Sequence, residues 1–178
     1  MYDMPRLRKF VFTAMCITLC SVLPLVLHAV PRAGNVILPM HIPVLLCGLI
    51  VGWQFGLLCG IFGPILSHFT TGMPNPAYMP SMIVELAIYG AVTGLMICFV
   101  RTKNKYVNIY TSLIVAMILG RIVAGAARAF IFTPGTVTMA LWVTGYFVTS
   151  LPGIIIQLIL IPTIVVALEK AKLVRANI

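Results

Sequence analysis

Long apolar runs alternate along this chain with short segments rich in proline, asparagine and basic residues. A helix needs about 20 apolar residues to cross the hydrocarbon core of a bilayer, and most of these runs approach that length. The pattern predicts an all-α integral membrane protein with a single domain, residues 1–178. We expect a compact bundle of six transmembrane helices, at residues 8–28, 42–53, 55–69, 81–100, 108–132 and from 139 to the basic tail.

The second run has about 12 residues, or ~18 Å, and is too short to span a bilayer alone. We expect it to start below the outer surface, so that the LPMHIP segment at residues 38–43 dips into the membrane. A proline inside a helix removes a backbone donor and disfavours a straight course. The third helix is therefore predicted to bend or break at Gly63 and Pro64, and the sixth to be interrupted at Pro152 and Pro162.

Glycine recurs at every fourth position across the second and third runs and again in the fourth. In lipid, small residues at this spacing let helix backbones approach each other. We predict close contacts at Gly48, Gly52, Gly56, Gly60, Gly90 and Gly94. Pro-rich loops at residues 29–40 and 70–80 flank this stretch, and polar backbone at membrane depth needs a cover of protein or a cavity. Together these features predict a small-molecule pocket covered by two loops.

Composition supports a membrane protein and predicts its orientation. Hydrophobic residues make up 61% of the chain and charged residues 8%, against about 25% charged in globular proteins, so a soluble protein is excluded. Nine of the twelve Lys and Arg residues form clusters near residues 6–9, 101–105 and 170–175. Because basic residues mark cytoplasmic segments, both termini are predicted to be cytoplasmic. No folded basic face accompanies the net charge of +9, which disfavours nucleic acid as a partner.

Three charged residues lie inside the predicted spans: Glu85, Arg121 and Arg128. Charges at this depth are costly and mark functional sites by default. Counted from the outer helix ends, Glu85 and Arg128 both lie ~6 Å deep and are predicted to pair, whereas Arg121 lies ~10 Å deeper with no acid at its level. The Arg121 guanidinium either binds an anionic ligand through its planar fork, bonds to carbonyls freed near Pro152, or shares Glu85.

Polar and aromatic residues near the loops are further candidates for ligand contact: His41, Asn35, Asn75, Tyr89, Trp142 and Tyr146. The last three are predicted to form an aromatic wall. The asparagines serve equally well as turn residues, the histidine as a loop cap, and Trp142 as an interfacial anchor. Gln157, midway along the sixth helix, is interpreted as packing glue. The histidines and the five cysteines show no spacing typical of a metal site, so no metal is predicted.

Four stretches together resemble a known family: LPMHIPVLLCGLIVGWQFG from Leu38, TGMP from Thr71, ELAIYG from Glu85 and GR from Gly120. The pattern is similar to the substrate-binding S components of energy-coupling factor (ECF) vitamin transporters, most of all to the pantothenate type. The resemblance covers nearly the whole chain, and Arg121 fits a carboxylate-bearing vitamin. S components for pyridoxine-type vitamins, hydroxymethylpyrimidine or a queuosine precursor share much of this skeleton and stay as alternatives.

The resemblance implies a protein of the bacterial plasma membrane that binds a vitamin at the outer face and does no chemistry itself. Its partners are a membrane coupling subunit and two cytoplasmic ATPases, which use the ATP, while the S component has no cofactor. Small residues on the first helix meet the coupling subunit, here Ala14 and Thr18. An enzyme is disfavoured because one buried acid without a histidine at helical spacing lacks the paired groups of acid–base catalysis. A stand-alone transporter or channel is the remaining alternative.

Overall fold

The computed structural model describes residues 4–27, 36–100, 102–132 and 138–171, and none of these forms a β-strand. The helices are α1 (Arg6–Leu27), α2 (His41–Val51), α3 (Trp53–Thr71), α4 (Met79–Phe99), α5 (Lys105–Ala127), α6 (Met139–Val143) and α7 (Leu151–Lys170). Two π-helical turns extend them, π1 (Arg128–Phe132) after α5 and π2 (Thr144–Val148) after α6. Since α6, π2 and α7 follow one another almost without a break, they form a sixth rod. The predicted arrangement of six helices is confirmed.

Four helical stretches are long and apolar enough to cross a membrane, judged by length and composition: Arg6–Val26, Met79–Phe99, Lys105–Phe132 and Met139–Lys170. Helix α2 is apolar but has 11 residues, as predicted for the second run. At this length it extends about 16 Å, roughly half of the hydrocarbon core. The chain is therefore a multi-pass membrane protein in which one short helix lies among longer ones.

Helix α2 lies inside the bundle. All 11 of its residues are buried, and it packs against α1, α3, α4 and α7. Pro39 and Met40, which precede it, are buried as well, as expected for an LPMHIP segment that enters the protein. Because backbone ends at membrane depth need a protein cover, neighbouring helices must shield both ends of α2.

Glycines bring α2, α3 and α4 into backbone contact, which confirms the prediction at five of the six positions. A Cβ atom at Gly48 or Gly56 would lie 2.4 Å from the carbonyl oxygen of Gly90. A Cβ atom at Gly60 or Gly94 would lie 2.3 Å from a main-chain atom of the facing helix. Any side chain at these five positions, here called the glycine seam, would push the helices apart.

Gly52 has a different role from the glycines around it. It joins α2 to α3 with φ 115° and ψ 172°, a backbone conformation that glycine adopts readily and other residues rarely. No atom lies within 4 Å of a Cβ built at this position. The main chain of Gly52 does contact α4, because its carbonyl carbon lies 2.7 Å from a Cβ atom built at Gly94. The absence of a side chain at Gly52 is not what allows this contact, and the residue forms the turn that folds α3 back along α2.

Prolines interrupt the helices less than the sequence predicts. Helix α3 continues through Gly63 and Pro64, and α7 continues through Pro162. A proline removes one main-chain hydrogen bond, and packing against neighbouring helices lets a membrane helix tolerate that loss. Pro152 does lie at a break, because it occupies the first turn of α7 just after π2. The missing N–H of a proline in a first turn has no helical partner in any case.

The bundle has two ends with different chemistry. The end where residues 72–78 join α3 to α4 is called the loop end, and the loop is tied to α3 because His68 Nδ1 lies 2.9 Å from the carbonyl oxygen of Pro74. At the opposite end, Lys105 of α5 forms an ion pair with Glu169 of α7. This pair joins the fifth helix to the end of the sixth rod, far from the loop.

Candidate ligand-binding site

Five polar side chains are buried where α2, α4, α5 and α7 meet. They are His41, Glu85, Tyr89, Arg121 and Gln157, and none is more than 8% exposed. We refer to them as the polar cluster. Polar and charged groups inside a membrane protein are costly, so their concentration at one place indicates a function.

Glu85 joins two members of the cluster. Its Oε1 atom lies 3.6 Å from His41 Nε2 and 3.8 Å from Arg121 Nε. These distances allow electrostatic attraction, but both exceed the length of a hydrogen bond. The prediction that Arg121 has no acid at its level is therefore wrong, because Glu85 lies beside it. The role of the guanidinium in binding stays a prediction.

The register between α4 and α5 explains this difference. A Cβ atom at Gly120 would lie 2.1 Å from the Tyr89 ring and 3.3 Å from the carbonyl oxygen of Glu85. Helix α5 therefore passes α4 at this height, and Arg121 follows immediately. Counting residues from the helix ends misses this contact because it assumes that both helices end at one level.

Arg128 contacts the loop end. Its guanidinium carbon lies 4.5 Å from the ring centroid of Tyr78, the last residue of the 72–78 loop, which is within cation–π range. Among the described residues, the arginine that forms an ion pair with Glu85 is Arg121. The predicted pair of Arg128 and Glu85 is thus replaced, since Arg128 joins π1 to the loop.

Most side chains of the cluster have polar atoms that no hydrogen bond within the described residues satisfies. These atoms are Nδ1 and Nε2 of His41, the Tyr89 hydroxyl, Nε and Nη2 of Arg121, and Oε1 of Gln157. Buried polar atoms almost always have a partner, and an unmet one costs about 1–3 kcal/mol. Four such side chains in one place are expected of a site whose hydrogen bonds are completed by a ligand.

Aromatic rings border the cluster on the side of the sixth rod. The Arg121 guanidinium carbon lies 5.6 Å from the centroid of Phe147, and the rings of Trp142 and Phe147 meet edge to face at 5.4 Å. The Trp142 indole also covers Gly125 of α5. Tyr146 lies 6.5 Å from Trp142, as expected for two of the three residues of the predicted aromatic wall. The role of this wall in binding stays a prediction.

The predicted wall did not include Phe147. Phe147 and Tyr146 both lie in π2, where a π-helical turn rotates side chains away from the positions that an α-helix would give them. Two adjacent aromatic residues after Gly145 were the available signal. Tyr89, by contrast, stands with its ring edge to face against His41 at 5.2 Å, within the cluster and apart from the Trp142 group.

The other predicted residues lie at the surface or outside the described ranges. Asn75 is exposed in the 72–78 loop, and its Oδ1 accepts a hydrogen bond from the Ala77 N–H at 3.1 Å, which fits its alternative role in a turn. Ala14 and Thr18 lie on an exposed face of α1. Their predicted contact with a coupling subunit stays a prediction, as does the role of Asn35, which lies outside the described residues.

Comparison with known proteins bears on what this buried site is for. A family model for the substrate-specific component of ECF transporters matches residues 8–165, a range that contains the whole polar cluster. Comparison with curated proteins gave no match, and comparison with solved structures gave none. Because the family match spans most of a chain that is built from membrane helices around a buried polar site, this protein belongs to the family of ECF transporter substrate-specific components.

Proposed function

We propose that this subunit captures a small water-soluble vitamin with a carboxylate group, pantothenate in the first instance, for uptake into a bacterial cell. Family membership makes the chain a substrate-specific transport subunit that acts with an ECF module, and not an enzyme. The proposal concerns the identity of the substrate and the way it is held. The observation that carries it is the buried and incompletely bonded guanidinium of Arg121.

Arg121 is suited to a ligand carboxylate. It is 2% exposed, and its Nε and Nη2 atoms have no hydrogen-bond partner in the described part of the chain. Glu85 lies 3.8 Å from Nε, close enough to offset part of the cost of burying the charge but too far to bond. A carboxylate on the open edge of the guanidinium accepts parallel N–H bonds, a geometry that arginine offers and lysine does not. Arg121 is therefore the proposed carboxylate-binding residue.

The charges near the cluster favour a ligand with one negative charge. Arg121 and Arg128 carry two positive charges against the single negative charge of Glu85. A negatively charged ligand is attracted by both guanidinium groups, whereas a cationic ligand would bring a third positive charge close to them. The charges of the site therefore support pantothenate over a cationic vitamin.

The remaining groups of the site match the rest of pantothenate, which has an amide, hydroxyl groups and a branched apolar centre. The His41 ring and the Tyr89 hydroxyl have unmet polar atoms that serve hydroxyl or amide groups. The rings of Phe147 and Trp142 beside Arg121 offer an apolar surface. A largely apolar pocket with a few placed polar groups is typical of small-molecule sites.

The 72–78 loop is the proposed lid over the ligand, together with the chain before α2. Tyr78 at the end of the lid contacts Arg128 at 4.5 Å, and π1, which carries Arg128, continues the helix that carries Arg121. The contact with the lid and the proposed contact with the ligand carboxylate therefore lie along the same helix. Ligand binding shifts the lid toward its closed state only as far as the ligand binds that state more tightly.

In this proposal the energy for transport comes from the partners. The loop end lies at the outer face of the bacterial plasma membrane, and both termini are cytoplasmic. The exposed face of α1 at Ala14 and Thr18 meets the coupling subunit, and two cytoplasmic ATPases hydrolyse ATP. Binding of the vitamin itself then needs no ATP and no cofactor.

Isothermal titration calorimetry on the purified full chain, without ATP, tests the substrate. We expect pantothenate to bind at least about 100-fold more tightly than a pyridoxine-type vitamin, hydroxymethylpyrimidine or a queuosine precursor. Pantothenol, in which an alcohol replaces the carboxylate, is the matched ligand control and should also bind about 100-fold more weakly. Tighter binding of any of these compounds than of pantothenate would overturn the proposed substrate.

Uptake into vesicles tests the dependence on partners. Vesicles that contain this chain with a coupling subunit and two ATPases should accumulate pantothenate when ATP is supplied. Vesicles that contain the chain alone should not. Accumulation by the chain alone would identify a stand-alone transporter and contradict the proposed division of labour.

A further inference from the structure

Gln157 is a fully buried polar residue in an apolar stretch of α7, with 0% exposure. Its Nε2 atom donates to the carbonyl oxygen of Leu38 at 3.5 Å, the long limit of a hydrogen bond. Its Oε1 atom has no partner in the described part of the chain. The interpretation as packing glue accounts for the nitrogen and leaves the oxygen unexplained.

The Leu38 carbonyl determines which way the Gln157 amide points. A carbonyl oxygen only accepts hydrogen bonds, and this one also accepts the main-chain N–H of His41 at 3.1 Å. Turning the amide over would set two acceptor oxygens against each other. The unmet atom of Gln157 is therefore an acceptor, and a partner that satisfies it must carry an N–H or O–H group.

Leu38 also connects Gln157 to the rest of the polar cluster. Because its carbonyl accepts from both Gln157 and the His41 N–H, the amide lies beside the first turn of α2. One turn earlier in α7, a Cβ atom at Gly153 would lie 2.5 Å from the carbonyl oxygen of Val36. Close packing thus holds α7 against the residues that precede α2. It also restricts the positions that Gln157 Oε1 can adopt.

We infer that Gln157 Oε1 accepts a hydrogen bond from the ligand and selects for vitamins with an amide N–H or a hydroxyl at this point. The inference rests on the proposed function, because it assigns Gln157 to the same bound molecule as Arg121. Pantothenate carries both kinds of donor, apart from its carboxylate. A buried acceptor that is left unmet rejects an analogue without the donor far more strongly than an apolar pocket rejects a small change in bulk.

Calorimetry on the purified chain with three ligands tests this role: pantothenate, its N-methylated amide and the form in which both hydroxyl groups are O-methylated. The wild type should bind one of the two analogues at least about tenfold more weakly than pantothenate. Gln157→Met keeps the length of the side chain and removes the amide. This variant should bind pantothenate more weakly by about the same factor. It should bind the weaker of the two analogues with the same affinity as the wild type does. Thr163→Val, at an exposed position of the same helix, is the control and should bind all three like the wild type.

A structural role of Gln157 would give a different pattern. Equal losses for all three ligands in Gln157→Met, or no loss for any, would overturn the inference because packing acts on every ligand alike. If Gln157→Met does not fold, Gln157→Asn replaces it, since this variant keeps an amide but withdraws the oxygen by one methylene, and the same pattern is expected. A wild type that fails to bind pantothenate overturns the proposed function instead, so the wild-type titration tells the two failures apart.

Discussion

Helices α2 and α4 contact each other at two places. Their backbones touch at one of these places, whereas polar side chains stay apart at the other. At the glycine seam, a Cβ atom at Gly48 would lie 2.4 Å from the carbonyl oxygen of Gly90, so the backbones are already in contact. In the polar cluster, the same helices hold His41 and Glu85 3.6 Å apart, too far for a hydrogen bond. A small approach of the helices would close that gap, and the seam prevents it. Tight packing at one place therefore keeps polar groups apart at the other, and in the proposed function this preorganises them for the ligand.

Gly90→Ala has the largest expected effect because it alters the glycine seam itself. The added Cβ would lie 2.1 Å from the carbonyl oxygen of Gly56, a main-chain atom that cannot rotate away. We expect a loss of at least about 3 kcal/mol in the free energy of unfolding, measured as a lower melting temperature in detergent. Gly145→Ala, where no atom lies within 4 Å, is the control. Equal melting temperatures for the two variants would contradict the role of the seam.

Arg121→Ala alters the polar cluster and should lower the affinity for pantothenate about 100-fold, or ~2.7 kcal/mol, in calorimetry. Arg121→Lys keeps the charge without the planar fork and should restore only a small part of the affinity. Arg8→Ala, at an exposed position near the start of α1, is the control and should bind like the wild type. Unchanged affinity in a folded Arg121→Ala variant would contradict the proposed contact between the guanidinium and the ligand carboxylate.

Glu85→Gln tests whether an internal acid competes with the ligand. The change preserves size and removes the negative charge 3.8 Å from Arg121 Nε. The ligand-free protein should melt at a lower temperature because a buried arginine loses its counter-charge. Pantothenate should bind about fivefold more tightly, or ~1 kcal/mol, because its carboxylate no longer shares Arg121 with the acid. Weaker binding of pantothenate, or tighter binding of a cationic vitamin, would contradict this account.

Tyr78→Leu has the smallest expected effect, because it changes the lid and leaves both the seam and the cluster intact. Loss of a cation–π contact with Arg128 removes about 0.5–1 kcal/mol at a partly exposed site, so release of pantothenate in stopped-flow experiments should be roughly two- to fivefold faster. Tyr78→Phe keeps the ring and is the matched control. Equal release rates for the two variants would show that the ring does not hold the lid.

Features that depend on length and spacing within one segment were predictable from the sequence. The apolar runs predict each helix to within a few residues, and glycine spacing predicts the seam. The same rule could not separate Gly52 from Gly48 or Gly56, because a turn glycine and a contact glycine lie at the same four-residue interval. The two roles differ in backbone conformation, and the spacing of glycines along the sequence does not reveal that conformation.

Features that depend on two helices together were not predictable in the same way. The contact between Arg121 and Glu85 follows from the height at which Gly120 packs on Tyr89, and no single segment contains that information. The position of Phe147 depends on a π-helical turn, which an α-helical count does not anticipate. The residues of the proposed site were therefore easier to identify from the sequence than the contacts between them.

The complete burial of α2 has a consequence for biogenesis. The helix is apolar, yet with 11 residues it cannot enter the bilayer from the translocon as an independent span. Helix α2 must be integrated together with α3 and sheltered by α4, which is synthesised later. The polar cluster, which is the proposed ligand site, is completed only when α7 with Gln157 arrives. Membrane integration and assembly of this cluster therefore end in the same step.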